Sequence, residues 1–272
     1  MIGAAEHMTA RQIDEICDLV KETAHRELQV RFAQVQGTRK HDGSIVTVAD
    51  LAVQERIRGG LLRISPSHRF LGEEMGADEQ RRVFANDVAG VWCLDPLDGT
   101  SNFAAGLPFF AVSLALLRGG EVKFGLVYDP CRDECFTAVR GCGAWLNGTR
   151  LACVPTDLSL AHTLAVVDFK RLAAPLARDL AANPPYASQR SFGSVALDWC
   201  WLAANRYHVY VHGSQRLWDY AAGQLILAEA GGVSATLAGE SVFNGSLEPR
   251  SAVASVDPRL LDTWQEYLSR SL

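Results

Sequence analysis

The stretch Trp92-Cys93-Leu94-Asp95-Pro96-Leu97-Asp98-Gly99-Thr100-Ser101-Asn102-Phe103 passes from an apolar run to two carboxylates, a glycine and a hydroxyl. Val91-Trp92-Cys93-Leu94 has the composition of a short buried strand, and the acids follow at its end. Pro96 stiffens the turn, so Asp95, Asp98 and the Leu97 carbonyl can be aimed together at a hard cation, which prefers oxygen ligands. Gly99-Thr100 then leads into Ser101-Asn102, residue types that favour a helix start. The unpaired N–H groups and positive dipole of such a start suit phosphate oxygens, so metal and phosphate can share one turn. An Asp-Pro-x-Asp-Gly sequence is also ordinary turn chemistry; the choice rests on acids elsewhere in the chain.

Those acids stand at comparable places. Arg69-Phe70-Leu71 is a second short strand pattern that stops at Gly72-Glu73-Glu74. Its carboxylates can converge on the same sheet end, although a bare Glu-Glu pair is more often a solvated loop. Asp50 follows Thr47 at the head of a helical pattern over 49–64, which Ser65-Pro66 ends. Asp219 opens another helix in Trp218-Asp219-Tyr220-Ala221-Ala222-Gly223, where capping alone would also explain an acid.

Outward from these points, Ile13, Ile16, Val20, Ala24 and Leu28 mark an amphipathic helix within 9–35, with Thr9 as N-cap and a turn at His41-Asp42-Gly43-Ser44 beyond it. Runs over 109–117, 122–128 and 134–139, separated by Gly119-Gly120 and Asp129-Pro130, predict antiparallel strands in one meandering sheet. The second half alternates strand and helix. Strands are expected near 163–167, 188–191, 207–211, 233 and 252, with helices near 171–182, 194–204, 218–230 and from Pro258. The fold class is therefore α/β, layered. The change of pattern near 153–160 divides the chain into an N-terminal subdomain, 1–155, carrying most of the candidate ligands, and a C-terminal α/β subdomain, 156–272, packed as one compact unit.

The chain has 272 residues and 48% hydrophobic content, ample for a large core. Lys plus Arg number 26 against 31 Asp plus Glu, which leaves no long basic face for nucleic acid. Nucleic acid and membrane are accordingly not expected partners, since no apolar run approaches ~20 residues. The start of the sequence lacks a secretory pattern, and seven cysteines are an odd number that suits a reducing compartment; a cytoplasmic location follows as an expectation. Cys131, Cys135 and Cys142 lack the C-x-x-C pairs of a zinc site.

WCLDPLDGTSNF at 92–103, with GEE at 72–74 and WDYAAG at 218–223, resembles the inositol monophosphatase family. Supporting pieces are Lys40-His41-Asp42, Val46 to Asp50, Gly125 to Pro130, Gly141 to Gly148 and Gly193-Ser194-Val195-Ala196, all in the family's order over about 10–270. The resemblance implies an αβαβα sandwich of the inositol monophosphatase and fructose-1,6-bisphosphatase type, two or three Mg2+ ions, and a homodimer. It assigns Glu73, Asp95, the Leu97 carbonyl, Asp98 and Asp219 as metal ligands. It assigns Asp50 and Thr100, with Glu73, to the catalytic set that activates water, and Gly99 and Thr100 to the phosphate cradle. Gly193, Ser194 and His212, with Asp219, match the part that faces the substrate's alcohol.

The implied activity is hydrolysis of a small phosphorylated metabolite by metal-activated water, the substrate being an inositol phosphate or a related sugar, nucleotide or histidinol phosphate. At 212 this chain departs from the inositol-specific pattern: His stands where an acid is expected, and an imidazole cannot accept two hydroxyl hydrogen bonds as a carboxylate does. An aspartyl-phosphate mechanism is disfavoured because the two acids of the hexamer are three apart, with Pro96 following the first, not in an Asp-x-Asp turn. The alternative is a non-catalytic regulatory or binding protein that retains the phosphatase fold.

Overall fold

The computed structural model describes residues 8–32, 38–39, 45–85 and 89–270; the Lys40-His41-Asp42 piece, the turn at 41–44 and the end of the first expected helix lie outside them. Helix α1 (Ala10–Ala24) starts from Thr9, whose hydroxyl accepts the Gln12 N–H while the Gln12 side chain reaches back to the Thr9 N–H. It continues into a π-helical turn, His25–Gln29. A small ribbon, β1 (Thr38–Arg39) and β2 (Ile45–Val46), precedes α2 (Val48–Ile64).

Next come β3 (Arg69–Gly72), α3 (Ala77–Phe84), β4 (Val91–Asp98), α4 (Thr100–Ala105), β5 (Ala111–Arg118), β6 (Glu121–Asp129), β7 (Glu134–Val139), β8 (Gly143–Leu146) and β9 (Thr149–Arg150). Strands β3 to β9 form one sheet in chain order, parallel only between β3 and β4, so the expected meander is present. Helix α3 was not expected because it buries no residue fully and so shows no apolar stripe. The β8–β9 hairpin escaped notice because its strands are short. Its turn is Asn147-Gly148, with φ of 48° and 78°, the pair that a tight hairpin turn requires.

The second sheet takes the order β11-β10-β12-β14-β13 from β10 (Leu164–Asp168), β11 (Ser188–Arg190), β12 (Val209–Gln215), β13 (Val233–Ala235) and β14 (Arg250–Ser255). Around it lie α5 (Ala174–Ala182), α6 (Val195–Ala203), α7 (Leu217–Glu229) and α8 (Pro258–Ser269).

Alternation along the strands builds three apolar layers. Ile16, Val20, Val53 and Ile57 of α1 and α2 pack on Trp92, Leu94, Leu114 and Leu126 from one face of the first sheet. The opposite face, through Cys93, Ala115, Val127 and Phe136, meets α6 and α7, which also cover Val166, Tyr210 and Ala254 of the second sheet. Leu176 and Leu180 of α5 and Leu260 and Trp264 of α8 close the far side on Val167, Val211 and Val253. The result is an αβαβα sandwich. Helices α6 and α7 are apolar on almost every side because both faces are covered.

The central contact is close. A Cβ on Gly125 of β6 would lie 2.8 Å from the Ala222 carbonyl oxygen of α7, and one on Gly223 would lie 2.5 Å from Trp199 Cβ of α6. Gly125→Ala is therefore expected to destabilise the protein by ~1–3 kcal/mol, because the obstacle is backbone. A fall in the urea midpoint with an unchanged m value would show it; an unaltered midpoint would mean that α7 shifts freely.

Candidate active site

Strand β4 carries two acids into its end through a bulge. Asp95 pairs with Ser113 and Asp98 with Ala111, so β4 holds one residue more than β5 over this interval. The bulge breaks the alternation that would send the two side chains to different surroundings. Gly99 follows with φ of 94°, and a Cβ there would meet the Phe109 carbonyl oxygen at 3.0 Å. Helix α4 then begins, its first intrahelical bond running from Phe103 N–H to Gly99 O at 3.0 Å. The amides of Thr100 and Ser101 precede that bond.

Three acids share one pattern, in which one oxygen is tied to the protein. Asp95 Oδ1 accepts the Leu97 N–H at 3.0 Å. Asp98 Oδ2 accepts the Ser194 hydroxyl at 2.6 Å and the Ala196 N–H at 2.7 Å, which pins α6 to the end of β4. Asp219 Oδ2 accepts the Arg216 N–H at 2.8 Å, three residues back at the start of α7. The second oxygen of each remains for another partner. Asp50 is anchored more fully: its Oδ2 takes both the N–H and the hydroxyl of Thr47, at 2.7 and 2.6 Å, as the acid of a capping box. Its Oδ1 lies 3.2 Å from Thr100 Oγ1, which is also 2.9 Å from the Leu97 carbonyl oxygen. The hydroxyl has one proton and two acceptors.

The acids act on one another. Burial and then the charges of Glu73, Asp98 and Asp219 push the Asp95 carboxyl well above its ordinary value. Burial, followed by Asp98 and Glu73, does the same to Asp219, which Arg171 partly offsets. Asp98 rises to about 6, burial outweighing the bonds from Ser194 and the Ala196 and Val195 amides. Asp50 is raised by burial, against its Thr47 bonds, with Glu73 adding to the rise. Glu73 follows β3, where its own N–H is bonded to Leu94 O of β4. The neighbouring Glu74 N–H turns to Gln54.

An all-oxygen donor set under mutual repulsion matches a hard dication such as Mg2+, which these carboxylates and the Leu97 carbonyl would hold. Among the described residues, no three His, Cys, Asp or Glu side chains are arranged to hold an ion as they stand. Like charges spread apart when nothing draws them together, so donor chemistry carries this fit.

On the substrate side, two of the expected side chains are turned to partners within the protein. Ser194 is 0% exposed and donates its hydroxyl to Asp98, which it helps to position. His212 is 3% exposed, with Nδ1 accepting the Ser214 N–H at 3.2 Å and Nε2 on Asp168 Oδ2 at 3.2 Å. That leaves no ring nitrogen for a ligand. Gly193, in contrast, is exposed and has φ of 82°, with Asn102 bonded to the adjacent Phe192 carbonyl.

Sequence reasoning missed Asp168, although an apolar run ending in an acid, Leu164 to Asp168, is the signal that found Asp95. It also missed Arg171, Asn102 and the Ser194–Asp98 bond. Gly213 lets the turn after β10 approach β12: a Cβ there would lie 1.8 Å from the Arg171 carbonyl oxygen.

The sequence profile of the inositol monophosphatase family matches residues 6–269. A protein of Pasteurella multocida named Nus factor SuhB is 37% identical over 244 residues, covering 88% of this chain and 89% of that one. An inositol-1-monophosphatase of Mesorhizobium japonicum is 35% identical over 234 residues, covering 82% and 86%. The crystal structure of extragenic suppressor protein suhB from Bartonella henselae superposes with a TM-score of 0.83 at 26% identity, covering 97% of this chain and 100% of that one.

Carboxyls whose folded pKa is raised stabilise the native state while protonated and lose that contribution as pH climbs from the unfolded value, 3.8, through the folded value, about 6 for Asp98 and well above the ordinary carboxyl value for Asp95. In chelator, Asp95→Asn is thus expected to raise Tm increasingly over the parent between pH 4 and pH 7.5. Mg2+ should raise the parent's Tm at pH 7.5 and move the variant's much less. Parallel Tm profiles would show that Asp95 is not destabilised by its neighbours' charge.

Proposed function

The chain belongs to the inositol monophosphatase family, and we propose that it is a Mg2+-dependent phosphomonoesterase acting on a small phosphorylated metabolite. Metal dependence is general in the family. The observation that carries the reading is the set of Asp95, Asp98 and Asp219, each with one oxygen anchored and the other free, beside the Thr100–Asp50 pair. Glu73 and the Leu97 carbonyl would complete the donors for two or three ions. When bound, Mg2+ supplies Lewis-acid neutralisation of phosphate charge and lowers the pKa of water.

The chain's own groups supply orientation and proton transfer. Thr100 Oγ1 accepts the proton of an attacking water as its own proton passes to Asp50 Oδ1, which the two Thr47 bonds hold in place. The Gly99 and Thr100 amides receive phosphate oxygens. Asp98, braced by Ser194 and the Ala196 amide, keeps its position as charge builds on the leaving oxygen. Water attacks phosphorus directly, with no phosphoenzyme.

At the alcohol end, the acid missing at 212 is supplied from the neighbouring strand. Asp168 pairs with His212 in register across β10 and β12 and keeps its side chain 26% exposed. Burial raises the Asp168 carboxyl, but the His212 contact and the Lys170 and Arg171 amides outweigh it and leave it lowered, hence ionised. Asp168 then accepts substrate hydroxyls while His212 orients it. The reading places the protein in the cytoplasm as a homodimer, to be checked by light scattering.

A second reading, a non-catalytic regulatory or binding role on the same fold, is favoured by the name Nus factor SuhB that several relatives carry. Phosphate release from inositol 1-phosphate and from sugar, nucleotide and histidinol phosphates separates the two. Turnover should vanish with EDTA and return with Mg2+; activity surviving exhaustive chelation excludes the metal mechanism, and silence on the whole panel selects the second reading.

Thr100→Ala and Asp50→Asn should each lower kcat by roughly 100-fold with little change in KM, and the double variant should be scarcely worse, because the pair acts as a unit. Additive losses would separate the two residues. His212→Glu should alter the substrate ranking by placing two acids side by side; an unchanged ranking would remove position 212 from specificity.

A further inference from the structure

The end of the first sheet opposite the acids holds a cavity of about 450 Å3, lined in part by Arg118, Lys123 and Arg140 together with His68. The meander brings them there. Arg118 ends β5, Lys123 lies near the start of β6, and Arg140 follows β7, with the Arg140 N–H bonded to Lys123 O at 3.0 Å. No carboxylate is among the described residues that line the cavity, in a chain whose net charge is −5. All three cations are half-buried, and the Arg140 guanidinium is fixed by its Nε–H bond to Val122 O at 2.6 Å. Glu121, which is not among the lining residues, pairs with Lys123, and Lys123 and then Arg140 hold its carboxyl below the ordinary value.

Two further features point the same way. Thr9 and Gln12, the cap and first turn of α1, form another wall, and that turn contains no acid, so the positive end of the helix opens onto the cavity. The His68 ring borders it, with Nδ1 buried and lacking a hydrogen-bond partner in the structure. Concave walls of one sign concentrate field on an oppositely charged guest, and guanidinium groups match phosphate geometry. The remaining wall is apolar, through Met8, Ile64, Leu116 and Val139. Strand β5 runs from Ala111, opposite Asp98, to Arg118, so seven residue steps, about 23 Å at ~3.3 Å each, separate this cavity from the acids.

We propose that this cavity binds a phosphorylated small molecule carrying two or more negative charges, with its phosphates on Arg118, Lys123 and Arg140 and any organic part on the apolar wall. The site is distinct from the acidic cluster and does not depend on the phosphatase reading.

The test is calorimetric titration of the full chain with inorganic pyrophosphate, ATP and adenosine in EDTA, where the acids repel anions. Saturable binding of pyrophosphate or ATP, but not of adenosine, is expected. The Lys123→Ala/Arg140→Ala variant should weaken it by at least about tenfold, Lys123→Arg/Arg140→Lys should retain most of it, and Asp95→Asn should leave it unchanged. Far-UV circular dichroism confirms that the variants are folded. ATP binding more tightly than pyrophosphate assigns an organic phosphate, and equal affinity assigns the phosphate group alone; both uphold the site. It is overturned if neither anion binds at millimolar concentration, if adenosine binds as well as ATP, if the alanine variant binds like the parent, or if Asp95→Asn abolishes binding.

Discussion

Confinement of like charge at the end of β4 is the constraint on which the rest depends. Burial raises the proton affinity of Asp95, Asp98 and Asp219, and neighbouring carboxylates, Glu73 among them, add to the rise. Such a cluster persists only where the surroundings leave the side chains nowhere else to go. Here the surroundings are a bulged strand between two neighbours, a helix pinned by Ser194 and the Ala196 amide, and two helix starts whose N-cap amides, of Thr47 and Arg216, the acids accept.

That last point joins stability to chemistry. Capping would account for Asp50 and Asp219 without any function, yet the capping bonds recorded for each use a single oxygen, Oδ2. In Asp50 the oxygen left over from that bond, Oδ1, meets the Thr100 hydroxyl. Structural and functional readings of these acids are therefore the same geometry seen from two sides. Ser194 extends the pattern, since the cap of α6 is also the brace of Asp98.

Helices α6 and α7 transmit this order between the sheets. Their glycine contacts, Gly125 against Ala222 and Gly223 against Trp199, allow backbone-close packing, so Asp219 is held at a fixed height over the first sheet. The meander has a second consequence. Neighbouring antiparallel strands place alternate chain ends together, and here one end of the sheet gathers carboxylates while the other gathers Arg118, Lys123 and Arg140. The sheet is electrostatically polar along its strands.

Strand and helix order, the meander and the acids at strand and helix ends were legible in the sequence, because periodicity, caps and breakers act over a few residues. The weak elements, α3 and the β8–β9 hairpin, were not, since one buries no residue fully and the other is too short to show alternation. The turn from Asp95 to Thr100 was legible as a group of oxygen donors from residue types alone. Only the tertiary structure decided that Ser194 braces Asp98, that Thr100 meets Asp50, and that His212 turns to Asp168. Each of these contacts joins residues far apart in the chain, and the packing of two sheets around α6 and α7 sets which side chains meet, a relation that no local pattern encodes.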